Sequence, residues 1–141
     1  MNYIVFLDTQ AGELEKILSG IKCMVLKEFN TPLAAGQTVR PGDSLFFIRD
    51  NGERTLRVRA TVVQATALPQ NPEERLSQTL KELQLKLQLN EDQYSHWSSK
   101  QKVLLVEFTG ARKIKSVNIT TNRPAGGPEW IAFDEFNSIT E

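Results

Sequence analysis

The sequence predicts an α+β, mainly β domain: five to six strands in a small mixed barrel, a short N-terminal helix, and a helical excursion at about 72–98. Three observations carry that expectation. Leu56, Val58, Ala60 and Val62 alternate with Arg57, Arg59, Thr61 and Val63, the period of a strand with one buried face. Leu76, Leu80, Leu83 and Leu87 recur at helical spacing and form one stripe. Short apolar runs elsewhere are separated by Gly, Pro and Asn punctuation. Strands interrupted by one helical excursion suit a small closed barrel with helices plugging an end.

Taken in order, Tyr3 to Leu7 is β-branched and aromatic and reads as a strand. Gly12 to Ser19 places Leu14, Ile17 and Leu18 on one helical face, and Gly20 follows where positive φ would end that helix. Lys22 to Phe29 reads as a strand with Cys23, Val25 and Lys27 on one face and Lys22, Met24 and Leu26 on the other. Thr31 to Arg40, with Pro32 and Gly36, is a loop. Ser44 to Ile48 and Leu56 to Thr66 form a hairpin joined through Asp50-Asn51-Gly52. Asn71-Pro72-Glu73-Glu74 carries a capping pattern that starts the leucine-striped helix. Asn90-Glu91-Asp92-Gln93 repeats that pattern ahead of Tyr94 and Trp97, starting a second short helix. Val103 to Phe108 is a central strand, and Lys113 to Ile119 is placed beside it. Thr121 to Pro128 is a loop, and Trp130 to Phe136 is a last short strand or turn.

Composition bounds the function. The 141 residues make one domain, spanning 1–141, with room for a core. The 17 basic and 17 acidic side chains cancel, which disfavours coating of a long duplex and leaves room for a small basic patch. The single cysteine, Cys23, excludes an internal disulfide and a cysteine-rich metal site, and it suits a reducing cytosol. The N-terminal apolar run is too short for a signal segment and lacks a positive flank, and no stretch is long enough to span a bilayer. The expected location is cytoplasmic, with no membrane partner, no cofactor and no metal.

Gly20-Ile21-Lys22 opens the second strand, Lys27 stands near its end, and Pro41-Gly42-Asp43 precedes the next apolar run. This order resembles the ASCH branch of the PUA-like superfamily, whose signature is a helix, Gly-x-Lys, a strand ending in arginine, and Gly-Asp before the next strand. The resemblance covers roughly Leu14 to Val63 and again Lys102 to Phe108. It implies a PUA-like barrel whose cleft receives RNA or a nucleobase-like ligand, with Lys22 at the barrel mouth. Two positions depart from the pattern. Lys27 replaces the arginine, and an ammonium cannot reproduce the bidentate guanidinium fork. Val25 stands where related bacterial amidohydrolases acting on acylated cytidine carry a threonine, their proposed nucleophile.

Each candidate side chain has a functional and an ordinary reading. Lys22 can bind a phosphate or polarise a carbonyl, or it is a solvated lysine. Cys23 is a thiol without a nearby base in sequence, or core. Glu91 is the acid that the resemblance to the amidohydrolases brings forward, yet Glu91 and Asp92 also simply favour a helix N-terminus. Tyr94 and Trp97 offer a stacking platform for a base, or pack their helix onto the barrel. His96 reads as a surface residue, and one histidine without clustered ligands does not make a metal site. Arg54, Arg57, Arg59, Lys100, Lys102, Arg112, Lys113 and Lys115 form a positive stripe beside Trp97 if pairing brings them together. Otherwise they are a solvated strand face. The complementary acidic weight falls partly on Glu129, Asp134, Glu135 and Glu141.

The leading expectation is a binding module for RNA or a modified nucleotide. Lys22 and Lys27 contact phosphate or carbonyl groups, Tyr94 and Trp97 stack, and Arg57 and Arg59 steer. The alternative is an amidohydrolase on an acylated nucleoside or similar small amide, with Lys22 and Glu91 as the polar pair. A third reading is a protein-interaction domain using an exposed aromatic tail around Trp130 and Phe133.

Overall fold

The computed structural model describes residues 1–8, 11–28, 39–49, 54–71, 73–119 and 130–133. The loop expected over 31–38, the Asp50-Asn51-Gly52 turn, Pro72, the loop over 121–128, residues 134–136 and the acids Glu129, Asp134, Glu135 and Glu141 lie outside them.

Six strands form one curled, half-barrel sheet. They are β1 (Asn2–Leu7), β2 (Met24–Glu28), β3 (Ser44–Arg49), β4 (Thr55–Leu68), β5 (Val103–Asn118) and β6 (Trp130–Phe133), in the spatial order β2-β5-β4-β3-β1-β6. β1 runs parallel to β3 and antiparallel to β6, and the other neighbours are antiparallel. Because β1 is covered on both faces, its run from Tyr3 to Leu7 is continuously apolar and aromatic instead of alternating. The inner face gathers Tyr3, Val5, Leu45, Phe47, Val58, Val62, Val106 and Phe108, and α1 (Glu13–Leu18) sets Leu14 and Ile17 into it. Val25 of β2 and Trp130 of β6 come from opposite ends of the strand order yet share this core cluster. The sheet therefore curls far enough to bring its two ends over one core.

The outer face carries two further clusters. Against β2 and β5 pack α2 (Leu76–Glu82), α3 (Gln84–Leu87) and α4 (Glu91–Ser98), which bury Leu76, Leu80, Leu87 and Trp97 on Met24, Leu26, Val103 and Leu105. Around β1 and β3, Ile4, Phe6, Phe46 and Ile48 gather with Ile119 and Phe133.

Several boundaries differ from the sequence pattern. The leucine-striped helix begins at Leu76, after Arg75, and Asn71 caps no helix. The Asn71 side chain instead accepts the Glu73 N–H at 3.0 Å in a turn. Residues 73–75 carry no apolar side chain, so a helical turn there would gain no packing to offset its nucleation. Val103–Phe108 and Lys113–Asn118 belong to one long strand, since β5 continues through Gly110 at φ +69°, and Ile119 lies just beyond its end. Register shifts against β4 absorb the irregularity, so both runs pair with β4 instead of with each other. β2 starts only at Met24, and Cys23 packs with Met24 and Leu26 on the helix side, not with Val25. Finally, Trp130 and Phe133 are 3% and 5% exposed, so they make no exposed aromatic tail. Among the described residues no helix is long and apolar enough to cross a membrane.

Candidate functional site

The site grows out of the end of α1. Gly20 adopts φ +82°, and the N–H groups of Ile21 and Lys22 both donate to the Lys16 carbonyl at 3.0 and 3.1 Å. That closure turns the chain and directs Lys22 inward, where it is 1% exposed. Its ammonium donates to the Leu87 carbonyl at the end of α3. It also lies 3.5 Å from Glu13 Oε1. Glu13 is fixed in turn by the Asp8 N–H, which donates to Oε2 at 2.7 Å. Burial pushes the Lys22 pKa below the usual lysine range, and the Glu13 carboxylate opposes that shift.

These groups line a cavity of about 240 Å³ where β2 and β6, the two ends of the sheet, face each other across α1 and α4. Val25 and Trp130 contribute apolar wall, and the end of β1 adds Asp8. From α4 come Asp92, Gln93, His96 and Trp97. α4 is held in place by the Asn90 capping box: Asn90 Oδ1 accepts the Gln93 N–H at 2.8 Å, and Gln93 Oε1 accepts the Asn90 N–H at 3.1 Å. The Tyr94 hydroxyl donates to the Ser77 carbonyl at 2.9 Å and ties α4 to α2. The walls therefore hold three carboxylates, Asp8, Glu13 and Asp92, against the one ammonium of Lys22. An ammonium has three donors, and two of these are directed at Leu87 and Glu13. Such a cavity can take a neutral ring between apolar and aromatic walls while offering it the Lys22 ammonium and carboxylate acceptors.

The expected site residues separate into two groups. Lys22 and Trp97 meet at the cavity, with Trp97 6% exposed because most of its ring packs α4 onto β2 and β5. His96 is exposed, as the sequence reading has it, and also reaches the cavity wall with its ring edge-on to Trp97 at 5.1 Å. Glu91 and Tyr94 line a separate shallow depression on the other flank of α4, so Glu91 does not meet Lys22. Lys27 is buried farther along β2, donates to the Glu28 carbonyl at 3.1 Å, and does not line the cavity. Burial depresses its pKa as well.

Arg57 and Arg59 also stand apart. Arg57 is exposed on β4. Arg59 donates to Ser44 Oγ at 2.9 Å and lies over the Phe46 ring at 5.8 Å. Its partner across the sheet is Arg112, whereas Trp97 packs near Leu105. The stretch of β5 from Leu105 to Arg112 covers roughly 20 Å at a strand's rise per residue. The basic arms of β4 and β5 thus do not form a stripe beside Trp97.

Sequence reasoning passed over Glu13 and the cavity role of Trp130. An acid in a first helical turn has an ordinary explanation in the helix dipole. The available signal was register: Glu13 stands four residues before Ile17, on the buried face of α1.

No family model matches the chain, and no curated protein is significantly similar to it. Solved structures are. The chain resembles the ASCH protein of Zymomonas mobilis with a TM-score of 0.68 at 11% identity, covering 97% of this chain and 90% of that one. Two variants of that protein, one with a tyrosine-to-phenylalanine and one with a serine-to-alanine change, each give a TM-score of 0.67 at 10% identity. They cover 97% of this chain and 93% and 91% of theirs, respectively. With its half-barrel sheet, its plugging helix and a cavity at the sheet ends, the chain is a domain of ASCH-type fold.

Proposed function

We propose that the cavity beside Lys22 receives a single base of an RNA or of a modified nucleotide, with the phosphates left outside. The observation that carries this reading is the buried Lys22–Glu13 pair in the wall of a small cavity bounded by Trp97 and Trp130. At about 240 Å³ the space falls just below the roughly 300–1,000 Å³ of drug-sized sites, which suits one ring system better than a whole nucleotide. The surplus of carboxylates opposes a phosphate inside. Phosphate contacts then fall to surface cations, of which Arg57, Arg112 and Lys113 are exposed on the paired arms of β4 and β5. In this arrangement Lys22 acts on a ring carbonyl, and Lys27 is a structural cation of β2. Binding is favoured over amide hydrolysis because Val25 offers no nucleophile at the wall and Glu91 does not line the cavity.

The test is an NMR titration of the labelled protein with a short mixed-sequence RNA and, separately, with free nucleosides. The expected result is saturable shifts at Lys22–Val25, Asp92–Trp97 and Trp130 with both. Silence at these positions under both titrants would sink the reading.

A further inference from the structure

Resting on that reading, we propose that the base this cavity selects is guanine, recognised by the edge that carries O6, N1–H and the N2 amino group. Lys22 Nζ and Glu13 Oε1 stand 3.5 Å apart, so a donor and an acceptor face the cavity side by side. Beyond them the wall adds two more carboxylates, Asp8 and Asp92, and no second ammonium is present among the described lining residues. Glu13 keeps lone pairs after accepting the Asp8 N–H and facing Lys22, since a carboxylate has about four acceptor positions. The matching ligand edge has one carbonyl followed by adjacent donors.

Among the common bases guanine alone has that order. Its O6 would face the Lys22 ammonium, and its N1–H and N2 amino group would donate to Glu13. Adenine has no carbonyl for the ammonium. Uracil flanks its single N–H with two carbonyls, one of which would face a carboxylate. Cytosine has one amino donor beside two acceptors. A wrong base therefore leaves a buried charged group without its partner, and such mismatches discriminate more strongly than shape does.

The chain's two tryptophans, Trp97 and Trp130, both line this cavity, so their indole N–H resonances report on it directly. The experiment titrates the labelled protein with guanosine, inosine, adenosine, cytidine and uridine at matched concentrations. Inosine differs from guanosine only in lacking the N2 amino group. Guanosine is expected to shift both indole signals and to bind about tenfold more tightly than inosine, the effect of one hydrogen bond to a charged acceptor. Glu13→Gln, if folded, is expected to bring guanosine down to the level of inosine, and if it does not fold the wild-type series decides alone. A folded Glu13→Gln that keeps the full preference overturns Glu13 as the reader. Equal binding of the purines, or tighter binding of adenosine or a pyrimidine, overturns guanine selection while leaving a base-binding cavity in place. Failure of every nucleoside and of a short RNA to move either indole signal overturns both this inference and the function on which it rests.

Discussion

Lys22 Nζ lies 3.5 Å from Glu13 Oε1, with the two side chains 1% and 10% exposed, so α1 and the lead-in to β2 are joined by an ion pair that solvent barely reaches. A pair withdrawn from water gains Coulomb energy against a large desolvation penalty, and its net value is small. Removing one member is another matter, because the other is left charged in an apolar setting.

Lys22→Met is therefore expected to destabilise the fold by about 3–5 kcal/mol, since it strands the Glu13 carboxylate and removes the donor to the Leu87 carbonyl. Combining it with Glu13→Leu should cost less than the sum of the two single changes, with a coupling of at least ~1 kcal/mol. Urea denaturation of the four proteins in the cycle measures this directly. Additive losses would mean that the pair is a proximity without energetic content.

Alkaline pH should move stability in two opposed steps. Burial lowers the folded pKa values of Lys22 and Lys27. Between those lowered values and the roughly 10.4 of an unfolded lysine, the unfolded chain binds more protons, so stability rises with pH. Tyr3 acts in the other direction. Burial first, and then the charge of Asp43 and a hydrogen bond to it, push the Tyr3 hydroxyl from 10.0 up to about 12. Its contribution is fully present below pH 10 and is lost as pH climbs through about 12. Denaturant titrations from pH 7 to 12 should thus show a maximum near pH 10, with the alkaline fall reduced in Tyr3→Phe. A monotonic decline from pH 8 upwards would contradict the depressed lysines.

Two asparagines with the same local pattern should respond differently to truncation. Asn90 closes a full capping box on α4, and Asn90→Ala is expected to cost about 1 kcal/mol. Asn71 holds only an exposed turn, and Asn71→Ala should stay within about 0.5 kcal/mol. Paired thermal or urea melts decide the matter, and equal losses would place a helix start at Asn71 after all.

That contrast shows where the sequence was readable. The Asn90 cap, the Gly20 helix end and the alternation in β4 are written in neighbouring residues, because their physics is local: a side-chain oxygen two or three residues from an N–H, a glycine that tolerates positive φ, a pleat of period two. The unity of β5 was not readable in this way. From Thr109 to Asn118 none of its residues is buried, so Lys113 to Ile119 reads as a strand of its own and nothing announces that it continues Val103 to Phe108 through Gly110. The partner of Lys22 was hidden for a related reason. Whether an acid in α1 or one in α4 meets that ammonium depends on how α1 and the sheet ends close together, which is a property of the curled sheet and not of any window of sequence. The resemblance put Lys22 at the barrel mouth, and Lys22 lines the cavity, but it brought forward Glu91 and gave no reason to look to Glu13.

The separation of the arginine arm from the cavity leads to a last prediction, which divides steering from recognition. Arg57 is exposed on β4, and Arg59 beside it is held by Ser44 and the Phe46 ring, so of the two Arg57 is the one to remove without disturbing packing. If the arm guides an RNA backbone while a base seats in the cavity, Arg57→Ala weakens binding of an RNA long enough to span both and lowers the salt slope by about one. Nucleoside affinity should be unchanged, because Arg57 does not line the cavity and its exposed charge is screened by salt. Fluorescence titrations of both ligand types at several salt concentrations provide the check. An Arg57→Ala protein that loses nucleoside binding in proportion would show that the two regions act as one site. One that binds RNA with an unaltered salt slope would show that the β4 arginine takes no part in guiding the backbone.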